Sequence, residues 1–221
     1  ALPILGAGRT ELVGQIFGAW GQRRRGRVLV QGEPYDAPAP AASLARGIVL
    51  VSENRKRFGL VLDESIGFNL SLSSLADVSR RGLIDSSAEV VRSQRVFGSL
   101  RVKARDLDDR VGGLSGGNQQ KVVLGKALLT QPRIVLLDEP TRGIDVGAKV
   151  EVYELINRLT ADGCAVVLVS SELPELIGMS DRILMLCEGR IGGAFARGEA
   201  DQERLLAAAM RPAQPTNGSA A

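Results

Sequence analysis

The chain has 221 residues, 44% of them hydrophobic, which suits one large domain with a substantial core and excludes disordered or fibrous classes. Its 28 basic and 25 acidic residues leave a net charge of +3, a mild excess that permits binding to nucleic acid or an acidic membrane without demanding it. Histidine is absent altogether, which removes His-based metal sites, Ser-His-Asp triads and imidazole general bases.

The chain opens on "LGAGRTEL", Leu5 to Leu12, which follows the phosphate-loop pattern G-x-x-x-x-G-K-[ST] with Arg9 in place of the lysine and Pro3 in place of the first glycine. The strand that should feed this loop is barely present, so the chain reads as a fragment of something longer. "TELVGQIFGAW" has helical apolar spacing at Leu12, Val13, Ile16 and Phe17 and ends at Gly18. The basic run Gln22 to Arg27 has no aromatic interleaving and reads as a solvated connector rather than a nucleic-acid patch. "GRVLVQGEP" reads as a short strand closed by a turn, and "GIVLVSE" as a buried strand.

From about Asp63 to Arg110 no β-rich run occurs, and a helical insertion is expected, with a capping box between Ser86 and Glu89. "LSGGNQQKVVLGKALLT" is a glycine turn opening a helix, and "PRIVLLDEP" a continuously apolar strand of parallel-sheet type ending in Asp138 and Glu139. A helix over about Val146 to Ala161, a strand "CAVVLVSS", a short helix "LPELIGM", paired strands about Gly189 and a last helix over about Gln202 to Met210 follow. Residues 211–221 read as a disordered tail. The two cysteines, Cys164 and Cys187, lie in apolar runs, so a reduced, disulfide-free core is expected. No apolar run approaches a membrane span and no signal peptide heads the chain. The alternation of strand and helix predicts an α/β fold with a parallel sheet.

The chemistry concentrates in three places. Asp138, at the end of a buried strand, is placed to hold magnesium through water, and Glu139 beside it is the natural carboxylate to polarise an attacking water. "LSGGNQQK", Leu114 to Lys121, puts the Ser115 hydroxyl and the bare N–H groups of Gly116 and Gly117 at a helix N-terminus, where an anion is favoured. Gly6, Ala7, Gly8, Arg9, Thr10 and Glu11 form the candidate phosphate cradle.

These residues resemble the signature of ATP-binding-cassette ATPases, and the order of loop, helical insertion, signature, "LLDEP" and "GID" with Asp145 is that family's order over about Leu5 to Met210. "GAGRTEL", "SENRKR", "LSGGNQQK", "DEPTRGIDVGAK" and "VSSELPEL" are similar to the second cassette of tandem ATPase subunits of ribose-, galactose- and xylose-type importers. The resemblance implies a P-loop NTPase-like parallel-sheet core, RecA-like, over residues 1–62 and 111–210, and a helical subdomain over 63–110. It implies ATP and Mg2+ as cofactors. It implies as partners the N-terminal cassette of the same polypeptide, the transmembrane permease subunits and, indirectly, a solute-binding protein. The implied place is the cytoplasmic face of the inner membrane, peripherally bound, with no nucleic-acid partner.

The family's pattern also assigns roles. Gly6, Ala7, Gly8, Arg9, Thr10, Glu11 and Ser171 would contact ATP, Glu139 would be catalytic, and Thr10, Glu53 and Asp138 would serve the metal. Leu114, Ser115, Gly116, Gly117, Asn118 and Gln119 would form the signature donated to the partner's nucleotide, and Asp145 would couple the two sites. Arg9 for lysine, Glu53 for glutamine and Ser171 for histidine are three departures in one site, implying slow or absent turnover there. A same-architecture importer of nucleosides or other small polar solutes, a soluble cassette ATPase and a non-hydrolysing nucleotide sensor remain alternatives. The soluble DNA-repair type is disfavoured because only about a hundred residues separate loop and signature, without heptads.

Overall fold

The structure is a computed structural model that describes residues 8–23, 25–36 and 39–210. Pro3, Leu5, Gly6, Ala7 and the tail 211–221 therefore lie outside the described residues, as does Arg24 of the basic run.

Helix α1 (Arg9–Phe17) begins after Gly8, whose left-handed φ of 81° only glycine adopts freely. It ends at Gly18, again left-handed, where the Gly18 N–H bonds to the Gln15 carbonyl and the Ala19 N–H to the Gly14 carbonyl, a Schellman closure. Strands β1 (Val28–Val30) and β2 (Glu33–Tyr35) form an antiparallel hairpin across Gln31 and Gly32, both at positive φ as a type I′ turn requires. A proline-started helix α2 (Pro40–Ala45) leads into β3 (Ile48–Val51), and a π-helical turn Arg55–Gly59 follows.

Helix α3 (Ile66–Ser71) and a 3₁₀ turn Leu75–Val78 come next, then two short antiparallel strands, β4 (Ser79–Arg80) and β5 (Leu83–Ile84). This hairpin corrects the expectation of a stretch without strands. It is set by the left-handed pair Arg81 and Gly82 rather than by burial, since Leu83 is 77% exposed. Helix α4 (Ser86–Ser99) is capped by Asp85, whose carboxylate accepts from the Ala88 N–H at 3.0 Å. The expected Ser86 and Glu89 box does not form: Ser86 is the first helical residue, and Glu89 instead accepts from the Ser71 hydroxyl, pinning α4 to α3. Where the segment leaves and rejoins the sheet, the Ile66, Gly67, Val111 and Gly112 N–H groups bond to the Asp109, Leu107, Glu64 and Leu62 carbonyls, tying its two ends together.

A 3₁₀ turn Val111–Gly113 leads to α5 (Gly116–Leu128), β6 (Ile134–Asp138), α6 (Val146–Ala161), β7 (Ala165–Val169), α7 (Leu173–Met179), the hairpin β8 (Arg182–Cys187) and β9 (Arg190–Ala196), and α8 (Gln202–Met210). Strands β3, β6 and β7 make a parallel sheet with β6 in the middle, Val51 opposite Leu137 and Asp138 opposite Val169. Because side chains alternate across a strand, Val135 and Leu137 of β6 pack into the core shared with α5 and α6, while Leu136 packs with Val13 of α1 and Tyr35 of the hairpin. The middle strand β6 is thus covered on both faces, which explains its unbroken apolar sequence. A separate small core, with Leu205 fully buried, holds α7, α8 and the β8–β9 hairpin together. Cys164 and Cys187 are buried and free, as expected.

Leu137 is fully buried one residue before Asp138. Leu137→Ala is expected to cost about 3–4 kcal/mol, from lost transfer energy plus an unfilled cavity in the middle of the sheet. Urea denaturation would show it as a lower midpoint at unchanged slope.

Candidate functional site

Chemistry-bearing residues gather at the carboxyl edge of the parallel sheet, where strands end and loops begin, the usual place for ligands in such sheets. The N-terminus of α1 faces this edge. Gly8 opens it, with no atom of the described residues within 4 Å of where a Cβ would stand. Arg9 reaches across to the end of β7, its Nη1 donating to the Ser170 carbonyl at 2.9 Å. The Thr10 hydroxyl donates to Asp138 Oδ1 at 3.2 Å. Glu11 lies exposed in the first turn of the helix.

At the end of β6, Glu139 takes a left-handed backbone (φ 49°) and donates its N–H to the Val169 carbonyl at 2.9 Å, so the turn is anchored to the neighbouring strand. Its Oε2 accepts from the Ser171 hydroxyl at 2.9 Å. Glu53, just beyond β3, forms an ion pair with Arg142, beyond β6. Five expected site residues, Arg9, Thr10, Asp138, Glu139 and Ser171, are therefore linked at one edge, while Gly6 and Ala7 lie outside the described residues.

Asp138 is 1% exposed, and its Oδ2 has no hydrogen-bond partner among the described residues. Burial pushes its carboxyl above the ordinary range; the Thr10 hydroxyl works against this shift, and the neighbouring Glu139 charge adds to it. A buried carboxylate with a spare oxygen beside a hydroxyl is a hard-oxygen donor pair of the kind magnesium takes, usually keeping several waters. Among the described residues no group of three or more acidic, Cys or His side chains could hold a metal, so such an ion would rely on Thr10, Asp138 and its own ligands.

The signature residues form a second group at the facing N-termini of α5 and α6. Exposed Ser115 caps α5, its Oγ accepting from Asn118 Nδ2 at 3.0 Å, and Asn118 Oδ1 accepts from the Lys103 N–H at 2.9 Å. Leu114 is half-buried beneath this turn. Gln119 points inward, 4% exposed, its amide donating to the Val111 carbonyl at 3.3 Å, so its side chain packs in this chain rather than facing outward. Asp145 caps α6, Oδ1 accepting from the Ala148 N–H at 2.9 Å. A Cβ on Gly117 would stand 2.5 Å from the Ala148 Cβ, so this glycine lets the two helix ends touch. Between them lies a cleft of about 160 Å³ lined by Ser115, Gly117, Asn118, Asp145, Ala148 and Glu151, among others.

Reading the sequence did not single out Glu175. It is 4% exposed, and its Oε1 accepts from the Thr141 hydroxyl at 2.8 Å, tying α7 to the turn after Glu139. Its only trace in the sequence was its place in "VSSELPEL". Burial, and after it the Glu175 charge, push Tyr153 up to about 12. Arg142, the partner of Glu53, was likewise unmarked.

Two outcomes follow from this electrostatics. Because the Asp138 pKa is raised on folding, its stabilising contribution is complete below the unfolded value of 3.8 and is lost as pH rises through the folded one. At pH 7 the buried charge is a cost, and Asp138→Asn is expected to raise the melting temperature of the metal-free chain by roughly 2–4 °C, while weakening Mg2+-dependent nucleotide binding. Alkaline absorbance titration should show a tyrosine that ionises only near 12 and vanishes in Tyr153→Phe. The stability linked to this phenol should hold below pH 10 and decline between 10 and about 12.

The family model described as ABC transporter matches residues 5–142. The chain is 52% identical over 206 residues to the xylose import ATP-binding protein XylG of Moorella thermoacetica, covering 93% of this chain and 41% of that protein. It is 49% identical over 207 residues to the ribose import ATP-binding protein RbsA of Rhodopirellula baltica, covering 94% and 40%. The chain thus spans well under half the length of the curated relatives it matches. Among solved structures, a nucleotide-free ATP-binding cassette from an ABC transporter superposes with a TM-score of 0.76 at 21% identity over 88% of this chain and 78% of that one. The ATP-binding cassette MJ0796, a dimer in a post-hydrolysis state bound to ADP and Pi, gives 0.72 at 22% identity over 86% and 81%. The fold is that of an ABC ATPase cassette, and the chain belongs to the ABC transporter family.

Proposed function

We propose that this chain is the second nucleotide-binding cassette of a tandem ATPase that powers a carbohydrate importer, binding ATP with Mg2+ and coupling its hydrolysis to uptake. The observation that carries the substrate class is the 52% identity to a xylose import ATP-binding protein across 93% of this chain. The aligned stretch occupies 41% of that relative, leaving room there for a second cassette of this size, which supports the tandem reading. The proposed organisation is a core of residues 1–62 and 111–210 with a helical subdomain of 63–110; the main-chain bonds between the segment's two ends support that boundary. The proposed partners are an N-terminal cassette, permease subunits and indirectly a solute-binding protein. The cassette would sit at the cytoplasmic face of the inner membrane; no helix among the described residues is long and apolar enough to cross one.

At the chain's own edge site, Thr10 and Asp138 fit a magnesium ion, since one Asp138 oxygen is buried without a partner. Magnesium would neutralise charge on the phosphate oxygens. Gly8 and the N–H groups opening α1 would cradle phosphate, with Gly6 and Ala7 extending the loop. Glu139 would accept a hydrogen bond from the attacking water, held in place by its bond from Ser171. Two features argue for slow turnover here. The Arg9 guanidinium is engaged with the Ser170 carbonyl, and Glu53 is committed to Arg142. A wide planar guanidinium is a poor substitute for a compact ammonium between phosphates.

The second group would act in trans. Ser115 and Gly117 would close over ATP held by the partner cassette's phosphate loop, with Asp145 lying between the two sites. Hydrogen bonds aimed at charge that develops on the γ-phosphate are worth several kcal/mol when water is excluded.

Steady-state Mg-ATP hydrolysis tests this directly. The folded chain alone is expected to turn over little or nothing. Adding the N-terminal cassette should restore hydrolysis, and Ser115→Arg should abolish it again. Robust turnover by the chain alone, lost in Glu139→Gln, would overturn the asymmetric reading.

A further inference from the structure

The segment "SENRKR" contributes Glu53 to the reading above, and it also carries Arg55. Arg55 lies in the π-helical turn after β3. Its Nη1 donates to the Arg142 carbonyl at 3.1 Å and its Nη2 to the Gly143 carbonyl at 3.4 Å, so one planar fork grips two successive peptide groups. The Arg142 side chain returns the contact by pairing with Glu53. The exit of β3 and the turn leading to Asp145 are therefore stapled twice, once through main chain and once through side chains.

The same guanidinium lies against the signature. A Cβ on Gly116 would stand 2.8 Å from Arg55 Nη2, which would have to move, and a tight 3.1 Å from the Gly143 carbonyl oxygen. A side chain at Gly116 would thus displace the Arg55 fork from its present contacts. The next residue, Gly117, is bare because Ala148 of α6 presses on it. Asp145, capping α6, completes a closed circuit from Arg55 to the Gly143 peptide, to α6, to the signature glycines and back. Arg55 is half-buried: its Nε is buried with no hydrogen-bond partner among the described residues, while its Nη1 and Nη2 bonds lie at the surface.

We propose that Arg55 is a positioning residue for catalysis in trans: it locks the signature turn, the Arg142–Asp145 turn and the exit of β3 into one rigid donor surface. This rests on the reading that the signature acts on a nucleotide held by the partner cassette. A surface that must meet a transition state is sensitive to displacements of an ångström or less. Because that nucleotide is bound by the partner's loop, loosening this surface lowers the rate without lowering affinity. Lysine cannot replace Arg55, since an ammonium on a flexible stem does not span two carbonyls as a planar fork does.

The test uses the intact polypeptide containing this chain, with Mg-ATP as probe. Loss of wild-type hydrolysis in Ser115→Arg first establishes that the signature is used. Arg55→Ala is then expected to lower kcat about tenfold or more, with KM for ATP within about twofold and a melting temperature near wild type. Arg55→Lys should remain at least about threefold below wild type. Wild-type kcat in Arg55→Ala, or a rise in KM that accounts for the loss, would overturn the proposal. If Arg55→Ala does not fold, Arg55→Lys decides: wild-type kcat overturns it and the threefold deficit supports it. If Ser115→Arg leaves hydrolysis unchanged, the trans reading fails on its own, and amide exchange judges the lock separately. Faster exchange confined to residues 115–118 and 142–145 in Arg55→Lys supports it, and unchanged exchange overturns it.

Discussion

Everything at the site depends on the central strand β6, hydrogen-bonded on both sides and covered on both faces. A strand so enclosed has no freedom to slide: a shift of one residue would turn Val135 and Leu137 away from α5 and α6 and expose a mismatched face on each side. Its last residue, Asp138, inherits that fixity, as does Glu139, whose left-handed turn is anchored to β7. The buried, partly unpaired carboxylate is the local cost of this rigidity, and a cation is its natural remedy.

The two groups of candidate functional residues are connected by short polar contacts as well as by the apolar core that β6 shares with α5 and α6. Arg9 and Ser171 hold the β7 side of the edge site to α1 and to Glu139. Glu53, Arg55 and Arg142 hold the β3 side to the turn that ends at Asp145. Thr141 and Glu175 hold that turn to α7. The loop from Glu139 to Asp145 is thus gripped from three directions within a few residues. This explains how one surface segment can lie beside both the cleft at the signature and the sheet edge.

Much of this fold is legible in the sequence wherever a single physical signal dominates. Strands β3 and β6 are apolar runs because both of their faces are buried, β7 is equally apolar although Ala165 and Val167 are exposed, and α6 announces itself by its period and by Asp145 as its cap. The segment around β4 and β5 is obscure because its turn, not its side chains, makes the strands. The cap of α4 was misassigned because Asp85 and Ser86 are adjacent and both are good capping residues, and because Glu89 has a better partner in Ser71. Arg55 is invisible for a deeper reason. The partners of Arg55 are main-chain carbonyls 87 and 88 positions away, and a carbonyl carries no residue identity. Site chemistry built on side-chain motifs can be read in advance, whereas supports built on backbone atoms emerge only once the chain has closed on itself.

The separate small core beneath α7 and α8 is not fully independent. Leu168 of β7 packs against both that cluster and the main one, and the residue after it, Val169, receives the Glu139 N–H. The C-terminal layer therefore rests on the parallel sheet through Leu168 and Met179 and through the Thr141–Glu175 hydrogen bond. Fraying that starts at α8 can spread across β8, β9 and α7 while the sheet stays whole. It meets the turn after Glu139 through the buried Thr141–Glu175 hydrogen bond as well as through Leu168, so the condition of this layer becomes a mechanical load on the backbone that carries Glu139.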